Sequence, residues 1–365
     1  MSPSFQVTVL TYNRRDTLGE NLPSYQSLVA DVLHVIDNGS TDGTDLLLAK
    51  VGAGDGAMRI TRNRINMGYS RSLVKAFFLC QEDYQLFLSD EDVPEAAFLE
   101  AYRRVVARFG PVGVIARANP YPRKWTIPEL DRACIEHEDD EITVIRPGFY
   151  AAHLAGFQSI YLGGLCVAPE AVTNAHGVTL ERGSYPQRFL AMDAAYTRGL
   201  VLMKSDGLGA FPKAHASARK EAMTPRLGDW GVAEYISTAH YLLDHYSMDG
   251  LSGPAAAALR EMQLRFAYTR AAFYFVKAAG GGEENAFRFL RNVRETSGIF
   301  ARPLFWSYFY EFFNAMASDE QKKVLRRVCW RLEEEMAQGP SRETSDFAHQ
   351  HLGFGRGVIK RGDGA

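Results

Sequence analysis

Short apolar runs and helical stripes alternate through the first third of the chain. Phe5–Leu10 is β-rich, with Val7 and Val9 on one face, and Val32–Ile36 is a continuous apolar run, as in strands buried on both faces. Between them Leu18, Leu22 and Tyr25 recur at helical spacing. Arg59–Arg62 is a third, poorer strand, Leu73, Phe77 and Cys80 mark a helix, and Tyr84–Leu88 reads as a fourth strand. A helix over Glu95–Phe109 leads to a fifth strand at Val112–Ala116. This order predicts an α/β fold with a mostly parallel sheet and helices on both faces. Ligands of such sheets bind beyond the carboxyl ends of the strands.

The pattern breaks from Arg117 to Phe157, which contains Asn119-Pro120-Tyr121-Pro122 and the acidic run Glu136–Glu141. This stretch is read as a long irregular insertion, with the acidic run as a solvated loop. Ser159–Val167 returns as a strand carrying Gly163-Gly164, followed by a helix over Gln187–Arg198 and a strand at Leu200–Lys204. Beyond Gly228 the pattern is helical, near Trp230–Tyr246, Pro254–Ala278, Glu284–Thr296, Pro303–Met316 and Asp319–Ala337. The last helix opens on a capping box, Ser318 with Gln321, and Gly280-Gly281-Gly282 separates two of the others. The expected organisation is an α/β domain over residues 1–225, an α-helical domain over 226–350 and a mobile tail over 351–365.

Composition narrows the function classes. Hydrophobic residues make up 46% of the chain, enough for a packed core. Lys plus Arg number 41 against 43 Asp plus Glu, which excludes the basic footprint of a general nucleic-acid binder. Cys80, Cys134, Cys166 and Cys329 form no CxxC pair and read as reduced thiols of a cytoplasmic protein. Met1–Leu10 lacks the basic and apolar regions of a secretory leader, and no stretch reaches the ~20 apolar residues of a membrane span. Any membrane contact is then peripheral, at the inner face. The aromatic segment Pro303–Phe313 offers either core or homodimer packing, or an interfacial surface beside Lys322, Lys323, Arg326 and Arg327.

The candidate chemistry follows strand ends. After the first strand comes Thr11-Tyr12-Asn13-Arg14, and after the second Asp37-Asn38-Gly39-Ser40-Thr41-Asp42-Gly43-Thr44. After the third comes Asn63, then Asn66-Met67-Gly68-Tyr69-Ser70-Arg71, and after the fourth Ser89-Asp90-Glu91-Asp92. Asp90 and Asp92 alternate in an extended turn and suit Mg²⁺ or Mn²⁺ held jointly with phosphate oxygens, or they begin an acidic helix start before Pro94. Asp37 and Asn38 can hydrogen-bond a base edge or ribose, or simply cap the next helix. Asn66 and Gly68 open a helix whose N–H groups favour a phosphate within reach of Arg71.

Taken together, these motifs from Phe5 to about Ala116 resemble family-2 inverting glycosyltransferases of the GT-A, Rossmann-like fold. Within that family the chain is most similar to bacterial O-antigen and capsule enzymes of the abequosyl- and rhamnosyltransferase groups. The resemblance implies a nucleoside-diphosphate-sugar donor, a saccharide or lipid-linked saccharide acceptor and a divalent metal, Mn²⁺ or Mg²⁺. It places Thr11, Tyr12, Asn13 and Arg14 at the nucleoside and assigns Asp37 and Asn38 to base or ribose. Asn66, Gly68 and Arg71 flank the diphosphate, Ser89, Asp90 and Glu91 contact the donor, and Asp90 with Asp92 forms the metal-binding D-x-D. His215 is a third candidate metal ligand.

An inverting transfer also needs a general base to deprotonate the acceptor. The family places it at a helix start past the D-x-D, and Asp193 is the nearest match, with Glu181 as runner-up. Other readings are a sugar nucleotidyltransferase, disfavoured because Thr11-Tyr12-Asn13-Arg14 is not a Gly-rich phosphate loop, and a nucleotide-sugar-binding or scaffold protein without catalysis.

Overall fold

The computed structural model describes residues 2–52, 57–118, 127–159, 162–173, 185–204, 236, 238–297 and 303–337. The chain forms two compact units, Met1–Met223 with Leu242–Ala256, and Thr224–Tyr241 with Ala257–Ala365. The first unit is built on a 9-stranded sheet of order β3-β2-β1-β4-β8-β5-β9-β7-β6. Its parallel half comprises β1 (Phe5–Thr11), β2 (Val32–Asp37), β3 (Met58–Arg62) and β4 (Tyr84–Ser89). These strands alternate with α1 (Arg15–Gln26), α2 (Thr44–Gly52) and α3 (Tyr69–Phe78), and α4 (Phe98–Phe109) leads to β5 (Val114–Arg117). The sheet is mixed, and its mostly parallel core with helices on both faces agrees with the sequence pattern. Val7, Val9, Val35, Leu86 and Leu88 are buried, as the apolar runs require.

The segment beyond β5 is more ordered than expected. α5 (Pro128–Cys134) is followed by a hairpin of β6 (Ile135–Glu138) and β7 (Ile142–Ile145), then by α6 (Phe149–Gln158). The acidic run is solvent-exposed as expected at Glu136, Glu138, Asp140 and Glu141, but it forms a hairpin in place of a loop. Asp139 Oδ1 accepts the N–H groups of Glu141 and Ile142 at 2.9 and 2.7 Å, which closes the turn. Every residue of α6 from Phe149 to Phe157 is buried, so the helix has no polar face to mark its period. The strand expected over Ser159–Val167 shortens to β8 (Leu165–Val167), which runs antiparallel between β4 and β5. α7 (Pro186–Arg198) packs along α6 and feeds β9 (Leu200–Met203), which pairs in parallel with β5.

The helices that follow are α8 (Gly253–Gly280), α9 (Glu283–Ser297), α10 (Pro303–Met316) and α11 (Asp319–Ala337). The core of the second unit is aromatic: Phe275 lies 5.9 Å from Phe309 and 5.7 Å from Phe313, and Tyr268 lies 5.4 Å from Phe305. Phe305, Trp306, Phe309 and Phe313 are buried, so the inner face of Pro303–Phe313 is core, while Leu304 is exposed. The capping box forms as its residues suggest, with Ser318 N–H donating to Gln321 Oε1 at 2.8 Å and Gln321 N–H to Ser318 Oγ at 3.3 Å. No helix among the described residues is long and apolar enough to cross a membrane. The expected tail, residues 351–365, lies outside the described residues.

One buried group in the parallel sheet couples stability to pH. His34, on β2, is fully buried, with Nε2 at 2.8 Å from Thr61 Oγ1 and no hydrogen-bond partner for Nδ1 among the described residues. Burial, with the charges of Arg59 and Lys75, lowers its pKa from 6.5 to about 4. The folded state thus favours the neutral ring, so this stabilisation is present above pH 6.5 and lost as pH falls through about 4. Urea unfolding across that range should show a decline in stability, and His34→Val should flatten it. An unchanged profile in the variant would assign the decline to other groups.

Candidate active site

Connectivity creates a crevice at the carboxyl edge of the parallel strands. The order β3-β2-β1-β4 grows in one direction from β1 to β3, then crosses back to β4 on the other side of β1. Right-handed crossovers place α1 and α2 on one face and α3 on the other, leaving a switch point between β1 and β4. The contacts agree: α1 meets α2 where Gly19 faces Leu47, and Gln85 Nε2 on the opposite face donates to Ala76 O of α3 at 3.1 Å. The register aligns Thr11 with Asp37, Leu10 with Ser89, and Asp37 with Arg62. Thr11, Asp37, Asn63 and Asp90 therefore emerge at one level.

The switch point is closed by a buried hydrogen bond, Thr11 Oγ1 to Asp90 Oδ2 at 2.8 Å. From α1, Asn21 Nδ2 donates to Asp90 O at 2.9 Å and Tyr25 Oη to Ser89 O at 3.1 Å. These two side chains, four apart on the buried face of α1, hold the backbone of the acidic turn. Its helical spacing marks Tyr25 as an apolar stripe residue, with nothing local to show its hydroxyl's partner. Asp92 folds back, its Oδ2 accepting Ser89 N–H at 2.6 Å while its own N–H donates to Ser89 O at 3.0 Å. Gly163 lies against this carboxylate: a Cβ there would sit 2.4 Å from Asp92 Oδ2. Glu91 pairs with Arg14 at 3.0 Å.

Burial pushes the Asp90 carboxyl up to about 6 against the opposing Thr11 hydroxyl and Arg14 charge. Burial also raises Asp92 to about 6, opposed by Ser89 N–H and reinforced by Asp90 and Glu91. Tyr25 is held far above its ordinary value by burial and by Asp92 and Asp90, so it remains a neutral donor. The turn thus concentrates hard oxygen donors whose negative charge is only partly offset, which fits a divalent cation. Among the described residues no group of three or more His, Cys, Asp or Glu is arranged to hold a metal, so a ligand would have to supply the remaining oxygens. His215 lies outside the described residues.

Amides tie the neighbouring loops together. Asn13, at φ 52°, donates its N–H to Ser40 Oγ at 2.9 Å and accepts Thr41 N–H at Oδ1 at 2.8 Å. Asn38 Nδ2 donates to Asn66 Oδ1 at 2.8 Å, while Asn38 Oδ1 accepts Asn63 Nδ2 and Met67 N–H, each at 3.0 Å. Asp37 Oδ1 accepts Ser40 N–H at 2.9 Å. Arg62 Nε lies 3.4 Å from Asp37 Oδ2, close enough for charge attraction but misaligned, leaving that oxygen without a hydrogen-bond partner among the described residues. Asp37 and Asn38 are buried, so they stand behind the loops they organise. Tyr12, Asn66, Gly68 and Arg71 are exposed at the rim, and α3 begins at Tyr69 after Gly68 with its first-turn N–H groups at this edge.

Asp193 is a correction. It is fully buried, Tyr246 Oη donates to its Oδ1 at 3.2 Å, and Thr173 N–H donates to its Oδ2. It sits in the middle of α7, not at its start. The next residue, Ala194, has its carbonyl against Gly113, just before β5, and β5 is level with the beginning of β4 because both pair with Val167. The stretch from Tyr84 to Asp90, about 20 Å at ~3.3 Å per residue, separates that level from the acidic turn. A carboxylate so engaged and so placed anchors its helix and does not meet an acceptor. Glu181 lies outside the described residues.

Residues 6–157 match the family described as Glycosyl transferase family 2. Among solved structures the chain is similar to S. aureus TarS 1-349 in complex with UDP-GlcNAc, with a TM-score of 0.53 and 13% identity over 90% of this chain and 92% of that one. The TarS 1-349 structure gives a TM-score of 0.52 and 12% identity over 90% of this chain and 91% of that chain. Mannosyltransferase PcManGT from Pyrobaculum calidifontis, in complex with GDP-Man and Mn²⁺, follows at a TM-score of 0.47 and 13% identity, covering 91% and 88%. No curated protein matches. At these identities the TarS likeness is one of fold, and the fold is GT-A.

The placement of Asp193 predicts a stability defect. Asn at this position offers one acceptor oxygen to two donors, and Ala offers none. Each variant should lose about 1–3 kcal/mol in urea unfolding, with Ala the worse. Wild-type stability in both would return Asp193 to the list of candidate bases.

Proposed function

We propose that this chain is an inverting, metal-dependent glycosyltransferase that moves a sugar from a nucleoside diphosphate onto an acceptor hydroxyl. The observation that carries the reading is the Thr11–Asp90 contact at the switch point, with Asp92 one residue beyond Glu91 in the same turn. This is where an open α/β sheet takes its ligand, and it lies within the stretch that matches the glycosyltransferase family. Asp90 and Asp92 are the residues that would hold Mn²⁺ or Mg²⁺. When bound, the ion supplies positive charge that stabilises a leaving diphosphate.

The protein's own residues supply the rest. The exposed Tyr12 and the loop tied by Asn13 border the nucleoside, while Asp37 and Asn38 act by fixing that loop. Asn66, Gly68, the N–H groups opening α3, and Arg71 in its first turn present positive potential to the diphosphate. Gly163, with no side chain, leaves the space that the Asp92 carboxylate occupies. With Asp193 set aside, the base role passes to Glu181, four residues ahead of the α7 cap residue Tyr185. The subgroup resemblance favours an acceptor in bacterial surface polysaccharide or glycoconjugate synthesis, either a saccharide or a lipid-linked saccharide.

A nucleotide-sugar-binding protein without catalysis is the second reading, favoured specifically by the burial of Asp193. Donor binding is common to both readings, whereas turnover separates them. UDP is the first probe because TarS holds UDP-GlcNAc on this fold, followed by GDP, CDP and dTDP. A ligand that binds only the native state raises its stability by RT ln(1 + [L]/Kd), about 2.7 kcal/mol at a hundredfold excess over Kd. One nucleotide should raise Tm in a Mn²⁺-dependent manner, and no shift with any of them would reject the donor site.

Asp92→Ala should abolish the metal-dependent part of that binding while preserving the fold. Gly163→Ala should weaken it by displacing the Asp92 carboxylate, since a Cβ would approach Oδ2 to 2.4 Å. Metal-dependent affinity that survives in Asp92→Ala would reject the assignment of the ion to this turn. If Glu181→Gln retains wild-type transfer at saturating donor, the base lies elsewhere.

A further inference from the structure

Within the donor reading, on which this inference rests, Arg14 and Glu91 form a pair that fits neither partner's simplest role. Glu91 stands between Asp90 and Asp92, and of these three carboxylates it alone is ion-paired among the described residues. Asp90 is held by the Thr11 hydroxyl and Asp92 by the Ser89 N–H. The Glu91 carboxylate meets the Arg14 guanidinium at 3.0 Å, and both side chains are about one-third exposed, at 28% and 33%.

We propose that Arg14 is a second cation for the donor diphosphate, and that Glu91 holds it in reserve until the donor arrives.

The positions follow from the fold. Arg14 directly precedes α1, at the end of the loop after β1, and Glu91 is in the turn after β4, so the pair bridges the switch point above the Thr11–Asp90 contact. The guanidinium is therefore within a side-chain's reach of the turn that receives the diphosphate, on the side opposite Arg71, which rides on α3. Exchange is energetically easy. A part-exposed ion pair contributes little, whereas guanidinium and phosphate form bidentate, charge-assisted hydrogen bonds. Incoming phosphate oxygens can take Arg14 from Glu91 at little cost, and a cation entering with them offsets the carboxylate left behind. Without a donor, Arg14 offsets part of the charge of the acidic turn.

Charge removal at Glu91 would strengthen anion binding even without Arg14, so a double-mutant cycle is required. Calorimetry titrates UDP, GDP, CDP and dTDP into wild type, Glu91→Gln, Arg14→Ala and the double variant, each in EDTA and in Mn²⁺. Thermal unfolding confirms that all four proteins fold. The proposal expects Glu91→Gln to tighten nucleotide binding in EDTA by about threefold to tenfold, and Arg14→Ala to weaken it about tenfold. The gain from Glu91→Gln should be clearly smaller in the Arg14→Ala background, where only the effect of the removed charge remains. An equal gain in both backgrounds means the two residues act independently and overturns the proposal, as does weaker binding in Glu91→Gln, which would make Glu91 itself a ligand. If no nucleotide binds wild type in either condition, the donor reading fails and carries this proposal with it.

Discussion

The arrangement of the first unit depends on keeping an acidic turn buried at the place where the strand order reverses. Parallel strands end together at one edge, and the crossover from β3 to β4 leaves the β1 and β4 ends without a helix directly above them. Polar groups there lose water and must find partners, or they cost stability. The Thr11 hydroxyl gives Asp90 a donor, Asn21 and Tyr25 take the carbonyls of Asp90 and Ser89, and Asp92 turns back on Ser89. Satisfying these groups fixes how far β1 and β4 extend, where α1 sits and how closely Gly163 approaches. The carboxyls still keep raised pKa values of about 6, so the electrostatic tension at the turn is not fully relieved within the protein. Sites that retain such tension are those where a bound charge can relieve it.

The neighbouring loops follow a different logic. The amide oxygens of Asn13 and Asn66 accept, whereas the amides of Asn38 and Asn63 are two-sided connectors, each donor and acceptor at once. A charged residue in their place would satisfy only one side of each junction. Their network lets the loops after β1, β2 and β3 behave as one rigid rim, with the side chains of Tyr12 and Arg71 exposed along it. The buried Asn38 and Asn63 serve only as support, whereas Asn13 and Asn66 combine support with exposure.

The parallel half of the sheet was legible because strands buried on both faces appear as apolar runs, and because turn chemistry punctuates their ends. Where burial is uniform, the same logic fails. In α6 every position from Phe149 to Phe157 is apolar or buried, so no stripe distinguishes a helix from an insertion. The acidic run Glu136–Glu141 is solvated but no loop, because Asp139 closes a hairpin and Lys204 pairs with Glu138 at 2.5 Å. For Asp193 the motif located the helix but not the level of the residue within it. The surrounding Leu190-Ala191-Met192 and Ala194-Ala195 were the signal of burial, and the partner hydroxyl, Tyr246, lies 53 residues further on. A contact at that separation leaves no local trace in sequence.

That distant hydroxyl belongs to Leu242–Ala256, a segment that joins the first unit only after the chain has contributed Thr224–Tyr241 to the second. During synthesis, the first unit cannot be completed when residue 223 leaves the ribosome. At translation rates of about 5–20 residues per second, the interval before Ala256 emerges lasts seconds. Over that interval the Asp193 carboxylate lacks its tyrosine, and the face that later receives this segment stays open. The nascent chain therefore passes through an incomplete first unit, a stage at which a chaperone can bind and premature self-association can begin.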